Sequence, residues 1–310
     1  MQERTTGHRA LPVIAAVAVT VIWGMSFVSS KTILNAGVPP LTMVALRFLL
    51  TSAILGALVR IREPHGRVPA KARLTLAASG LVGVTLYFFF ESRGIRLTSA
   101  SHSSLIIATI PVFTVAAESL LYGTRIRWLA AVGIALSVAG TFLLVRGSVA
   151  AGTVAGDLFM FGACLAWVAY NLLSRDLHRS MSDLAITAWQ AIVGTAALVL
   201  LALTERRFWV PLTVPVVLHL AFLAVFSSAV GNFLYVYGLS RLGPSVVTPF
   251  LNLVPVVSAV GGVVLLGERL DAWQIAGGAV VVAGVLLVRL RRNGTRAASA
   301  AGTEGSSPPG

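Results

Sequence analysis

Along this chain, apolar residues come in runs of roughly twenty, separated by short polar gaps that hold most of the charges. The runs cover approximately residues 11–30, 40–59, 74–91, 99–121, 128–145, 156–174, 184–204, 214–237, 244–266 and 272–289. About 20 apolar residues in a helix cross the roughly 30 Å of bilayer hydrocarbon, where a helix satisfies its own backbone hydrogen bonds. The pattern predicts an all-α integral membrane protein of ten transmembrane helices joined by short loops. The first run follows Arg4 and Arg9 as a secretory leader would. It carries Trp23 and reaches Lys31 without an Ala-x-Ala cleavage site, so it reads as an uncleaved span. Residues 1–10 then form a cytoplasmic N-terminal tail. Residues 291–310, rich in Gly, Ala, Ser and Pro, form a disordered cytoplasmic tail.

Composition strengthens this picture. Hydrophobic residues make up 56% of the chain and charged ones only 11%, too few to give most helices a water-facing side; soluble domains carry about 25% charged residues. The net charge of +13 would suit nucleic acid if Lys and Arg gathered on one face, but they lie in the gaps between spans. No nucleic-acid partner is expected. A single cysteine, Cys164, excludes an intramolecular disulfide and a Cys-only zinc site, and no cofactor or metal is expected. With both termini on one side, sixteen basic residues fall on that side and seven on the other, with Arg47 inside a span. The excess places both termini in the cytoplasm of a plasma membrane, read as a bacterial inner membrane.

One repeat runs through the chain at an offset of 144: Trp23 with Trp167, Gly94 with Gly238, Pro111 with Pro255, Gly123 with Gly267 and Arg125 with Arg269. Val138-Ala139-Gly140 recurs as Val282-Ala283-Gly284. A single ungapped register that aligns Trp, Pro and Arg divides the chain into five-helix units at 11–146 and 147–290. Five is odd, so the second unit enters the membrane inverted. Inverted repeats are an architecture of alternating-access transporters, with the substrate site near the midplane between halves.

These features resemble the drug/metabolite transporter superfamily, specifically its EamA-type ten-helix exporters. The likeness rests on Trp23-Gly24-Met25-Ser26-Phe27 leading to Lys31, Leu46-Arg47-Phe48-Leu49-Leu50, Thr98-Ser99-Ala100-Ser101 followed by Pro111-Val112-Phe113, and Pro255-Val256-Val257 leading to Leu266-Gly267-Glu268-Arg269-Leu270. It covers about residues 11–290. The resemblance implies an exporter of small metabolites or drug-like compounds, amino acids among them, with a cavity lined by the first four helices of each half. It also implies Glu in both halves at the position of Glu268, where the first half carries Thr124. That departure favours a structural role for Glu268 over proton coupling.

Candidate site residues follow from polar and aromatic positions within spans. Arg47 lies about seven residues, roughly 10 Å, below the outer end of its helix. It reads either as an anion contact or as a structural tie, since intramembrane charges are costly and face protein or water. Trp23, Ser26 and Ser30 share one helix face, as do Trp167, Tyr170, Asn171 and Ser174 in the second half. Ser79, Gly83 and Tyr87 form another such face, as do Ser228, Asn232 and Tyr235, and Thr248, Asn252 and Pro255. Trp23, Tyr87, Trp167, Tyr170 and Tyr235 would stack on a substrate, while Ser26, Arg47, Asn171, Asn232 and Asn252 would hold its polar groups. His102, just inside the outer end of helix four, reads either as a pH-sensing group or as a polar helix-start residue. Glu91 and Arg93 read as an interfacial ion pair at a helix end. Pro111, Pro249 and Pro255 remove backbone donors and are expected to kink helices four and nine as hinges.

Two rival classes remain. An integral-membrane enzyme acting on lipid or prenyl substrates needs acidic clusters for magnesium, or His with Asp near the interface. The sequence has no Asp-rich motif pair, no paired His on one helix and no Gly-rich phosphate loop. A channel or structural membrane subunit would differ from a carrier in its flux. The expected partners are a small-molecule substrate, protons as a candidate coupling ion, and the lipid bilayer. Sequence alone leaves the oligomeric state open.

Overall fold

The structure, a computed structural model, describes residues 4–63, 68–123, 128–151, 153–174, 177, 180–208, 210–242, 250, 251, 253–284, 286 and 287. The described residues are helical with no strands. We number the main helices α1 (Arg4–Asn35), α2 (Pro40–Arg62), α3 (Ala70–Leu97), α4 (Ala100–Ile107 and Ile110–Tyr122), α5 (Trp128–Ala151), α6 (Val154–Ser174) and α7 (Asp183–Ala202). Then come α8 (Val214–Ala221, Phe222–Val230 and Gly231–Leu242), α9 (Val254–Leu266) and α10 (Ala272–Gly284). Seven described helical stretches are long and apolar enough to cross a membrane, and three further apolar helices, Ala131–Leu143, Val254–Leu266 and Ala272–Gly284, are shorter. Large apolar side chains such as Leu74, Leu120 and Phe142 lie well exposed on the outside of the bundle. Such a surface is stable against lipid and a liability against water.

The 144-residue register reappears in the backbone. The second piece of α4 and the whole of α9 begin at Ile110 and Val254 and end before Gly123 and Gly267, both left-handed, with φ of 63° and 65°. Glycine is the residue that adopts this conformation without steric cost. Before each piece the chain makes the same turn: Thr109 N donates to Ile106 O at 2.9 Å, and Leu253 N donates to Phe250 O at 3.0 Å. Each break falls just ahead of a proline. Pro111 and Pro255 sit in the first turn of a new helical piece, where a missing N–H removes no intrahelical bond. Pro249 lies outside the described residues.

A second shared feature has no signal in the sequence. The middle of α3, Leu81–Leu86, and that of α8, Phe222–Val230, are π-helical. The two stretches overlap in the repeat register, since positions 81–86 correspond to 225–230. A π turn widens the helix and re-aims its carbonyls and side chains.

Packing runs mainly between the halves. α1 packs on α8 and α9, and its counterpart α6 packs on α3 and α4. α2 packs along α7, where Ser52 and Thr195 share a hydrogen bond of 2.8 Å and Thr195 donates to Phe48 O at 3.2 Å. Close approach of α3 to α7 requires glycine: a Cβ on Gly80 would lie 2.8 Å from the Gln190 carbonyl oxygen. Small residues allow such contact between membrane helices.

Candidate substrate site

Arg47 on α2 projects into the seam between the halves and is buried. Its Nε donates to Ser228 Oγ at 3.1 Å and its Nη2 to Ser227 Oγ at 3.2 Å, both hydroxyls lying in the π-helical part of α8. The guanidinium carbon stands 4.8 Å from the Phe88 ring centroid and 5.4 Å from that of Phe48. An arginine at a helix centre in lipid costs about 2.5–3.5 kcal/mol on insertion scales. A hydrogen bond to a charged group contributes about 1.5–3 kcal/mol, so the two serines and the rings suffice to hold it. Two of the five guanidinium N–H groups are used by the serines. The others remain able to donate to an anion.

Further aromatic groups of both halves connect to this cation through Ser227 and Phe88. Trp23 on α1 donates Nε1–H to the Ser227 carbonyl at 3.1 Å and lies 5.3 Å from the Tyr235 ring. Tyr87 on α3 stacks edge-on with Phe88 at 4.7 Å and lies 5.0 Å from Trp167 of α6, which in turn lies 5.2 Å from Tyr170. Tyr170 donates its hydroxyl to Gln190 Oε1 at 3.3 Å. Gln190 Nε2 donates to Ser79 Oγ at 2.8 Å and to Ser174 Oγ at 3.0 Å. Tyr170 also packs its ring on Gly83, where no side chain would fit.

Glu91 departs from its expected role. It is buried, and Tyr87 donates its hydroxyl to Glu91 Oε1 at 3.1 Å. Arg93 makes no ion pair with it and sits 4.7 Å over the Phe89 ring. Residues two apart point to different sides of a helix, whereas Tyr87 and Glu91, four apart, share a face.

The other expected site residues divide. Ser26 donates to its own helix at Trp23 O, 2.7 Å, and Asn232 Nδ2 donates to Ser228 O at 2.6 Å. Both are half-buried beside the cluster with their donors turned to local backbone. Asn171 is exposed. Asn252 and Thr248 lie outside the described residues. His102 is fully buried near the start of α4, bonded to Asp157 rather than to this cluster. An apolar groove of about 160 Å³ between α2 and α7, lined by residues including Val38, Leu46, Val199 and Leu203, touches none of the expected site residues.

The repeat makes the scaffold symmetric while the site is not. Tyr87 and Glu91 correspond to Gly231 and Tyr235, and Arg47 corresponds to Ala191. An unsymmetrical solute could therefore meet different groups from the two halves.

The family comparison follows the same register. The EamA-like transporter family matches residues 10–146 and again residues 154–290, each bound displaced by 144. The chain belongs to the EamA-like transporter family. It is thus a multi-pass membrane transporter of small molecules, not an enzyme. An uncharacterized transporter of Archaeoglobus fulgidus is 29% identical over 277 residues, covering 88% of this chain and 95% of that protein. A protein named a probable terminal-alkyne amino-acid exporter, from Streptantibioticus cattleyicolor, is 27% identical over 285 residues, covering 91% of this chain and 94% of its own. A crystal structure superposes with a TM-score of 0.62 at 21% identity, covering 91% of this chain and 98% of that one, a likeness of fold.

Within this EamA-like chain the sequence reading passed over Gln190, Ser227, the interior role of Glu91, and Asp157. Gln190 had one usable signal: it neighbours Ala191, the repeat counterpart of Arg47. Asp157 had another, as an acid near the start of a span. Glu268 behaves as the structural reading expected. Its Oε1 accepts from Ala100 N at 2.7 Å, and its Oε2 accepts from Ser101 N at 3.1 Å and from Ser101 Oγ at 2.5 Å. It thereby caps the start of α4. Lys31 caps the end of α3, donating to Ile95 O at 2.9 Å, Arg96 O at 3.3 Å and Thr98 O. Acid at a helix start and base at a helix end both complement the helix dipole.

Proposed function

We propose that this transporter exports small amphipathic metabolites, α-amino acids among them, by alternating access across a bacterial inner membrane. On this reading ten spans form inverted halves at 11–146 and 147–290, with both termini in the cytoplasm. The observation that carries the proposal is Arg47: a first-half cation held by two second-half serines under the Phe48 and Phe88 rings, with an aromatic cluster of both halves reaching it through Ser227 and Phe88. A cation with free donors suits a substrate carboxylate, and the flanking rings suit an apolar side chain. The name of the Streptantibioticus relative points the same way. Trp23, Tyr87, Trp167, Tyr170 and Tyr235 are the stacking surfaces, and Gln190 fixes Tyr170.

The outer ends of the helices are tied together by Lys31 and Glu268, which supports a state closed on that side. Alternating access then requires these caps to part while the site stays in place. Reconstitution in liposomes tests the function. Loaded vesicles should exchange labelled leucine or phenylalanine saturably, with inhibition by unlabelled substrate. Rates equal to those of protein-free vesicles across amino acids and cationic dyes alike would contradict the proposal.

A further inference from the structure

The apolar groove between α2 and α7 lies where α2 begins and α7 ends. Thr42, Ala45, Leu46 and Leu49 line it from one face of α2, and Leu203 and Leu212 line it from just beyond α7. Leu49, Leu203 and Leu212 are 48%, 49% and 46% exposed, so the groove is open along its side. On a membrane span such an apolar opening is stable against lipid chains. The α2 lining from Thr42 to Leu49 runs about 10 Å along the helix. One leaflet contributes roughly 15 Å of hydrocarbon, so the groove matches the upper part of a single acyl chain.

The rim of the groove is basic. Arg206 is exposed and lies in the 3₁₀ segment Leu203–Phe208, between the lining residues Leu203 and Leu212. Arg96, toward the end of α3, is also exposed, and its Nη1 lies 3.5 Å from the carbonyl of Val38, another lining residue. The acid beside Arg206 is turned to the start of α2: Glu205 Oε2 accepts from Thr42 N at 2.9 Å and from Thr42 Oγ1 at 3.3 Å. That bond also fixes the segment carrying Arg206 against the groove. Among the described residues, no carboxylate lies within ion-pair distance of either arginine.

An acyl chain that enters the groove exchanges one hydrocarbon surrounding for another, so the hydrophobic effect selects nothing here. Selection falls to the rim, where a phosphodiester can accept from two guanidinium groups. A zwitterionic headgroup brings its own cation, which opposes the same arginines. We propose that the groove binds one anionic phospholipid, with an acyl chain against α2 and the phosphate between Arg96 and Arg206. The lipid bridges the halves, since α2 belongs to the first and Leu203 and Leu212 to the second. The site is independent of what the transporter carries. Only the leaflet follows from the proposed orientation, which makes it the outer one.

Native mass spectrometry of the full-length protein tests it, after release from nanodiscs of phosphatidylglycerol and phosphatidylcholine in equal parts. The wild type should retain one phosphatidylglycerol, preferred over phosphatidylcholine by about fivefold for each arginine. Arg206→Gln should remove about fivefold of that preference, and Arg96→Gln a similar factor. Leu49→Trp fills the groove from an exposed position and should abolish retention of the lipid. If that variant does not fold by gel filtration, Leu203→Trp takes its place. Equal retention of the two lipids by the wild type overturns the proposal. So does a preference unchanged in folded Arg206→Gln, or a lipid still retained by the folded tryptophan variant. A lipid-free dimer in place of the lipid-bearing monomer also overturns it, and makes this face an interface between copies.

Discussion

Gly140 on α5 and Gly284 on α10 make the same contact read in opposite directions. A Cβ on Gly140 would lie 2.6 Å from the Val281 amide nitrogen and 2.8 Å from the Gly277 carbonyl oxygen. A Cβ on Gly284 would lie 2.7 Å from the Ser137 amide nitrogen and 2.6 Å from the Gly133 carbonyl oxygen. Positions 281 and 277 are the repeat counterparts of 137 and 133. Two glycines 144 residues apart thus meet across a local pseudo-twofold, each against the other helix's backbone.

Backbone cannot yield as a flexible side chain does, so Gly140→Ala and Gly284→Ala should each destabilise the protein by about 1–3 kcal/mol. The two variants should lower the apparent melting temperature in detergent by similar amounts. Gly123 and Gly267 have positive φ and open space around them, so alanine there should cost only about 1–2 kcal/mol of backbone strain without disturbing the α5–α10 crossing. A large effect at one crossing glycine and none at the other would contradict the pseudo-twofold contact.

The repeat was legible in the sequence because it is ungapped, and every structural device tied to a Gly or Pro in that register could be located from it. The breaks in α4 and before α9 fall at Thr109 and Leu253, two residues ahead of Pro111 and Pro255. The π-helical stretches of α3 and α8 were illegible because Leu81–Leu86 reads as ordinary apolar helix. The site was partly legible. Arg47, Trp23, Tyr87, Trp167, Tyr170 and Tyr235 were found by residue type and face. Glu91 was paired with Arg93 by sequence adjacency, whereas its partner is Tyr87, one helical turn away. Asp157 gained meaning only when α4 came beside α6.

The Tyr87 hydroxyl donates to buried Glu91, so Tyr87→Phe should destabilise the protein by about 1–3 kcal/mol. Glu91→Gln in the Tyr87→Phe background should recover part of that loss, because the buried carboxylate that lost its hydroxyl donor is gone. A double-mutant cycle on thermal stability measures the coupling. A coupling energy near zero would show that the bond carries no weight.

Glu268 serves two backbone N–H groups and one hydroxyl at the start of α4. Glu268→Ala should cost about 0.5–2 kcal/mol, the usual range for a lost helix cap. Exchange of the Ser101 to Ser104 amides should accelerate, with α7 amides unchanged. Unchanged protection at Ser101 would remove the capping role.

Cys164 is fully buried, which gives a quiet background for topology by thiol labelling. Lys71→Cys should react with an impermeant maleimide only after the membrane is opened, and Asn35→Cys should react in intact cells. The reverse pattern would invert the proposed orientation.

Arg47 is the proposed substrate contact at the centre of the symmetric scaffold. Counterflow in liposomes with Arg47→Ala, checked for fold by gel filtration, tests this directly. Loss of one charge-assisted hydrogen bond of about 1.5–3 kcal/mol predicts a fall of roughly ten- to hundredfold for labelled leucine, with a cationic dye carried as in the wild type. Leucine exchange by Arg47→Ala at the wild-type rate would contradict it, leaving Arg47 as a structural tie between α2 and α8.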